Sequence, residues 1–214
     1  MLLLKYMNTF DVINKEMASV LIKEAEATIP TDWGEFRMIA FKSDVSDYDP
    51  ELAMVHPELD NTKPVDVRIH SECITGDLFH SQRCDCGPQL HAAMKHAAEH
   101  KGLVIYLRQE GRGIGIINKL KAYNKQDEGL DTIEANEVLG LAVDSRTYEK
   151  VIQILLSFGI SQIRLLTNNP EKIAAFNNSP IELVERIPLE IRSHEGNAKY
   201  LKTKKESMGH LLKL

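Results

Sequence analysis

The sequence predicts an α/β fold: a single domain built on a mixed or parallel sheet with flanking helices. Three observations carry that expectation. Residues 89–98 place Leu90, Ala93, Met94 and Ala97 at helical spacing, and the nearly all-apolar run Leu103-Val-Ile-Tyr-Leu107 follows, as a strand buried on both faces does in parallel sheets. The same order recurs where the stripe Val151, Ile154, Leu155 and Phe158 precedes the strand-like run Gln162-Ile-Arg-Leu-Leu166. A chain of 214 residues, 43% of them hydrophobic, suits one good core.

Taken in order, the first 28 residues and the acidic segment 43–60 show no readable pattern. Residues 65–72 alternate as a half-buried strand does, with Val65, Val67 and Ile69 toward a core and Arg68, His70 and Glu72 on the opposite face. That face leads to Cys73. With Cys84 and Cys86 it completes the chain's three cysteines. Buried thiols acting as small hydrophobes would account for them. So would a closed zinc site completed by His70, His80 or His91, and so would a catalytic zinc that keeps its fourth position for water.

His91, His96 and His100 are expected on the exposed face of the helix that follows. After the strand at 103–107, the stretch Arg108-Gln-Glu-Gly-Arg-Gly-Ile-Gly115 is a glycine-rich turn entering a helix through Lys119 and Tyr123. Glycines let a backbone approach a bulky anion, and a helix N-terminus favours phosphate. An ordinary tight turn has the same look. Asp131-Thr-Ile-Glu134 opens a further helix with a capping-box pattern, and Asp144-Ser-Arg146 is expected to open another, with Asp144 as N-cap and Gly159 ending it. The strand at 162–166 runs into the polar turn Thr167-Asn-Asn-Pro170, where proline starts the next helix. Lysines between 199 and 213 are expected on a solvated helix face.

A net charge of −5 speaks against broad nucleic-acid binding. The opening residues 1–5 are too short for a signal-peptide core, and no apolar run reaches membrane-spanning length. A cytoplasmic protein without a membrane partner is the expectation.

The stretches Arg68-Ile-His-Ser-Glu-Cys73, Arg83-Cys-Asp-Cys-Gly87, Arg108-Gln-Glu-Gly-Arg112, Asp131-Thr-Ile-Glu-Ala-Asn136 and Leu165-Leu-Thr-Asn-Asn-Pro170 together, in order and spacing, resemble GTP cyclohydrolase II. The likeness extends over about residues 29–212, leaving 1–28 as an N-terminal extension. It implies a homodimer that opens the imidazole ring of GTP and releases formate and pyrophosphate, the first step of riboflavin biosynthesis. It further implies zinc on Cys73, Cys84 and Cys86, and magnesium on the GTP phosphates. Nucleotide contacts carry over to Arg68, Ile69, His70, Ser71, Glu72, Gln89, Glu110, Gly111, Arg112, Thr132, Thr167 and Lys172, with Glu110 and Gln89 suited to the guanine edge.

Asp144 and Arg146 match the family's base and nucleophile. Because guanidinium stays protonated, an electrostatic clamp is the physically cheaper role for Arg146. Tyr123 matches a tyrosine that favours complete reaction with formate release. The rival readings are a partial cyclohydrolase that retains the formyl group and a non-catalytic, zinc-containing nucleotide-binding module. Fused relatives carry a second synthase for which this length leaves no room, so a monofunctional chain is expected.

Overall fold

The computed structural model describes residues 21–42, 49–191, 196–206 and 209–212. Seven strands form one sheet: β1 (Ile22–Thr31), β2 (Gly34–Lys42), β3 (Glu51–Val55), β4 (Val65–Ser71), β5 (Leu103–Leu107), β6 (Gln162–Leu166) and β7 (Glu182–Ile187). Their spatial order is β1-β2-β3-β5-β4-β6-β7. The β1 to β5 side is antiparallel, and β5, β4, β6 and β7 run parallel. The predicted mixed sheet is therefore present. Most of β1 and all of β3 in its antiparallel half fall in the two segments with no readable sequence pattern, and β1 begins at Ile22, inside the stretch set apart as an extension.

Among the described residues seven α-helices accompany the sheet: α1 (Ile74–Asp77), α2 (Cys86–Glu99), α3 (Gly115–Asp127), α4 (Thr132–Val138), α5 (Glu149–Ser157), α6 (Pro170–Ala174) and α7 (Ala198–Glu206). None is long and apolar enough to cross a membrane. Strand alternation sorts the core to the two sheet faces. Leu103, Ile105 and Leu107 join Val65, Val67 and Ile69 under Val151, Ile154 and Leu155 of α5, whereas Val104 packs with Ala93, Met94 and Ala97 of α2. Ile69 of β4 and Ile154 and Leu155 of α5 are fully buried, and full burial of such a side chain is worth about 1.5–3 kcal/mol.

Two local expectations fail for physical reasons. The polar face of β4 is not solvated: Arg68 and His70 pair in register with Val104 and Tyr106, on the face that α2 covers, and are 6% and 2% exposed. The helix expected from Asp144 starts at Glu149 instead. The Asp144 carboxylate accepts from the Arg146 backbone N–H at 3.0 Å and also binds the Arg146 side chain, so it closes a turn rather than capping a helix. The other end of α5 follows the expectation, with Gly159 at φ +68. So does α4, whose Asp131 and Glu134 form the full capping box.

Candidate active site

The carboxyl ends of the parallel strands β4, β5 and β6 open onto one cavity of about 390 Å³, the position where α/β sheets commonly hold ligands. Cys73 leaves β4 at the head of α1, Cys84 follows in a loop, and Cys86 is the first residue of α2. The Cys73 and Cys84 sulfurs lie 3.7 Å apart, and all three lie within 4.8 Å of one another. Tetrahedral zinc with Zn–S near 2.3 Å needs sulfurs about 3.8 Å apart, so the cup fits that ion. Two glycines permit it: a Cβ on Gly76 would stand 2.8 Å from the Cys84 sulfur, and one on Gly87 would meet the Gly76 carbonyl oxygen at 2.3 Å.

Among the described residues no histidine joins the cup. His70 Nε2 lies 3.0 Å from both oxygens of Asp77, while His80 and His91 meet edge to face with ring centroids 5.9 Å apart. Asp77 also accepts from the Cys73 backbone N–H and the Tyr106 hydroxyl. A carboxylate can only accept, so Nε2 of His70 carries the proton and its Nδ1 is a buried acceptor without a partner. Burial holds the His70 imidazole below its ordinary pKa, against the pull of Asp77.

The cup is also electrostatically wired. Hydrogen bonds from Cys84 and Cys86 hold the Cys73 thiol far below its usual value, while bonding to Cys73 pushes Cys84 up to about 11 and Cys86 well above its ordinary range. Three sulfurs gathered at one point, Cys73 among them favoured as thiolate, call for positive charge. Lys119 Nζ supplies part of it, 3.1 Å from the Cys73 sulfur, 2.9 Å from Thr75 Oγ1 and 2.7 Å from Glu110 Oε1. Burial opposes its charge, yet Cys73 and Glu110 hold the ammonium above its usual pKa.

Glu110, expected at a guanine edge, lines the cavity, and its carboxylate accepts from Lys119, the Gly111 N–H and the Ile74 N–H, which braces the cup. Gln89 is likewise engaged, accepting from Arg68 at 2.6 Å and donating to Asp85.

Cations line the opposite wall. Arg68 donates to the Leu166 carbonyl at 3.0 Å, and burial lowers its pKa to about 10. Lys172, 5% exposed, donates to the Ile69 carbonyl at 2.9 Å, and burial followed by the Arg68 charge depresses its pKa strongly. Arg112 sits in the left-handed region at φ 62, after Gly111 with the same value. Arg146 reaches the same cavity while Asp144 grips its guanidinium through Nε at 2.9 and 3.1 Å. Burial alone would raise the Asp144 carboxyl, and the Arg146 bond and charge outweigh it.

Most of the predicted residues meet in this cavity, among them Ser71, Glu72, Thr132, Thr167 and Tyr123. Burial pushes the Tyr123 phenol upward, and the Arg83 guanidinium lies 4.9 Å from its ring centre. Ile69 and Asp144 stand off the wall. Ile69 is a core side chain whose carbonyl alone serves the site, and Asp144 lies in an adjoining cavity behind Arg146.

Three contributors escaped the sequence reading. Lys119 had a readable signal, since it shares a helical face with Ala122 and Tyr123. Asp77 had none beyond its charge. Lys204 departs from its expected solvated face: its side chain is 12% exposed and binds Asp85 at 3.0 Å. His96 departs too, being half-buried on Asp66 rather than decorating the surface.

A thiolate metal cup facing a cation-lined cavity defines an α/β protein built to hold a metal ion together with one small polyanion. The chain belongs to the GTP cyclohydrolase II family, whose profile matches residues 22–188. It is 50% identical over 197 residues to "Riboflavin biosynthesis protein RibBA" of Bacillus cereus, covering 92% of this chain and 49% of that protein. The protein of the same name from Bacillus cytotoxicus is 50% identical over 193 residues, 90% of this chain and 48% of that one. The chain thus spans about half the length of these curated relatives. A solved two-domain 3,4-dihydroxy-2-butanone 4-phosphate synthase from A. baumannii, RibBX, gives a TM-score of 0.41 at 19% identity, over 81% of this chain and 43% of that one.

Proposed function

We propose that this chain hydrolyses GTP to 2,5-diamino-6-(5-phospho-ribosylamino)pyrimidin-4(3H)-one, formate and pyrophosphate, opening riboflavin biosynthesis. The observation that carries the reading is the meeting of a three-sulfur cup and a buried cationic wall in one cavity. A nucleoside triphosphate has matching ends, a neutral ring to be opened and a polyanion to be held.

Cys73, Cys84 and Cys86 are assigned to zinc. When bound, zinc supplies a Lewis acid and a water acidified toward pKa of about 7. Lys119 offsets the thiolate charge beside it, and Glu110 holds Lys119 and the Ile74 backbone in place. The buried Nδ1 of His70 is suited to accept an N–H from the ring. Arg68, Lys172 and Arg112 are suited to the phosphates, because charge-assisted bonds in a dry site are the strong ones, and magnesium is assigned to those same phosphates.

Asp144 holds the Arg146 guanidinium in place, and a guanidinium so held favours a clamp on the departing pyrophosphate over a nucleophile. Tyr123, held as the neutral phenol at neutral pH, is suited to donate to the opened ring, and this favours release of formate over retention. We assign catalysis to residues 29–212, acting as a homodimer in the cytoplasm.

The test incubates zinc-loaded protein with GTP and magnesium, assays formate and pyrophosphate together, and weighs the nucleotide product. Both products, lost on zinc removal, are expected. Pyrophosphate with a retained formyl group would establish the partial reaction, and unchanged GTP on a zinc-loaded chain would establish a binding module.

A further inference from the structure

A second cluster of metal-ligating side chains lies at the opposite end of α2 from the cup. His96 and His100 sit one turn apart at the C-terminus of that helix, and Asp66 faces them from β4. One ligand atom of each lies within 4.8 Å of the others. With α2 rising about 1.5 Å per residue, His96 and His100 are about 15 and 21 Å along the helix from Cys86, so the cluster is separate from the catalytic cavity.

The simplest account is structural: Asp66, 1% exposed at its side chain, is held by Arg164 Nε at 2.6 Å on Oδ1 and by His96 Nε2 at 2.6 Å on Oδ2. That account explains Asp66, Arg164 and His96. It leaves His100 without a reason, since the ring is exposed, has no hydrogen-bond partner among the described residues, and stands perpendicular to His96 with centroids 4.1 Å apart.

We propose that Asp66, His96 and His100 form a binding site for a nitrogen-preferring divalent cation of the zinc, cobalt and nickel class. Two imidazoles and a carboxylate are the donor set such ions favour over magnesium or calcium. Arg164 occupies one carboxylate oxygen and leaves Oδ2 as a single ligand, the way an outer hydrogen bond commonly orients a metal-binding carboxylate. The helix C-terminus adds a negative dipole end beside the cation. Seating the ion requires Asp66 Oδ2 and His96 Nε2 to part from 2.6 Å to about 3.4 Å, and the His96 side chain, 22% exposed, has room to do so. The bound ion pins the far end of the helix that carries Cys86, and the site requires no nucleotide.

The full chain, loaded with zinc at the cup, is dialysed against cobalt(II) chloride at a pH of about 8, where imidazole is neutral. We expect about one added cobalt per chain, with weak d–d bands and no intense sulfur-to-cobalt absorption. His100→Ala is expected to lose that cobalt while keeping its zinc and its thermal melt, because the ring is exposed and packs edge to face on His96. His96→Gln, which retains a donor toward Asp66, is expected to lose it as well. No cobalt beyond what replaces zinc at sulfur, or equal cobalt on the His100 variant, overturns the site. Neither result touches GTP turnover, so the two readings fail separately.

Discussion

Lys119 is the residue on which the cup's charge balance turns. Its ammonium is the nearest cation to Cys73 and simultaneously answers the buried Glu110 carboxylate. Lys119→Met keeps the length and removes the charge, leaving Glu110 7% exposed and short of a counter-ion. Breaking one side of such a pair costs about 3–5 kcal/mol, and loss of an outer partner of a metal ligand costs about 10- to 100-fold in metal affinity. Zinc retention against a chromogenic chelator, read beside a thermal melt, checks both. Lys172 behaves in the opposite sense. Burial already disfavours its charge, so Lys172→Met is expected to leave the unliganded fold as stable or firmer. The cost falls on GTP instead: a charge-assisted bond of about 1.5–3 kcal/mol corresponds to a KM raised roughly 10- to 150-fold. An unchanged KM would remove Lys172 from the phosphate wall.

At the scale of elements, the cup depends on how closely α1 and α2 approach. Gly76 lies in α1 with a virtual Cβ 2.8 Å from the Cys84 sulfur and 3.0 Å from the Cys86 Cβ. Gly76→Ala is therefore expected to cost about 1–3 kcal/mol of overpacking and to weaken zinc at least tenfold. Gly159→Ala, at the end of α5, serves as the contrast: its positive φ costs roughly 1 kcal/mol while zinc binding stays unchanged. Zinc titrations of the two variants separate the cases. The cysteines, the capping box at Asp131 and the strand periods were legible because each is a local pattern. What covers a face is not local: the alternation of β4 predicted a polar face, and only the docking of α2 turns Arg68 and His70 inward. Asp144 looked like a helix cap because aspartate favours both caps and turns, and the choice was made by Arg146. The Lys204 to Asp85 contact joins positions 119 residues apart, and no window of sequence holds both.

Across the whole molecule, the cavity buries imidazoles among cations, and this sets its response to acid. His70 is depressed by burial, and His210 is lowered to about 3 by burial and then by Lys204 and Arg146. His210 therefore stays neutral in the folded chain well below the ordinary imidazole value of about 6.5, and His70 titrates below that value. Between the folded and ordinary values the unfolded chain binds more protons, so stability is complete above about pH 6.5 and falls as pH drops. The slope reaches at most about 1.4 kcal/mol per pH unit for each group. Carboxylates with lowered values, Asp85 and Asp144, begin to matter only below their ordinary value of 3.8. Glu72, raised above its ordinary value by burial, works in the opposite sense over the interval from about pH 6.5 to 4.5, so the imidazole contribution is read as the difference between proteins that share Glu72. Urea unfolding with free zinc held in excess, across that interval, is expected to show a steady fall for the unmodified chain. His70→Gln, which preserves a donor to Asp77, and His210→Asn should each make the fall shallower, and cysteine protonation is common to all three proteins and cancels in the comparison. GTP phosphates entering the cavity oppose the cations that help depress His210, so saturating nucleotide should also shallow the fall. If the variants and the unmodified chain lose stability in parallel over that interval, the acid response resides in the thiolate cup rather than in the buried imidazoles.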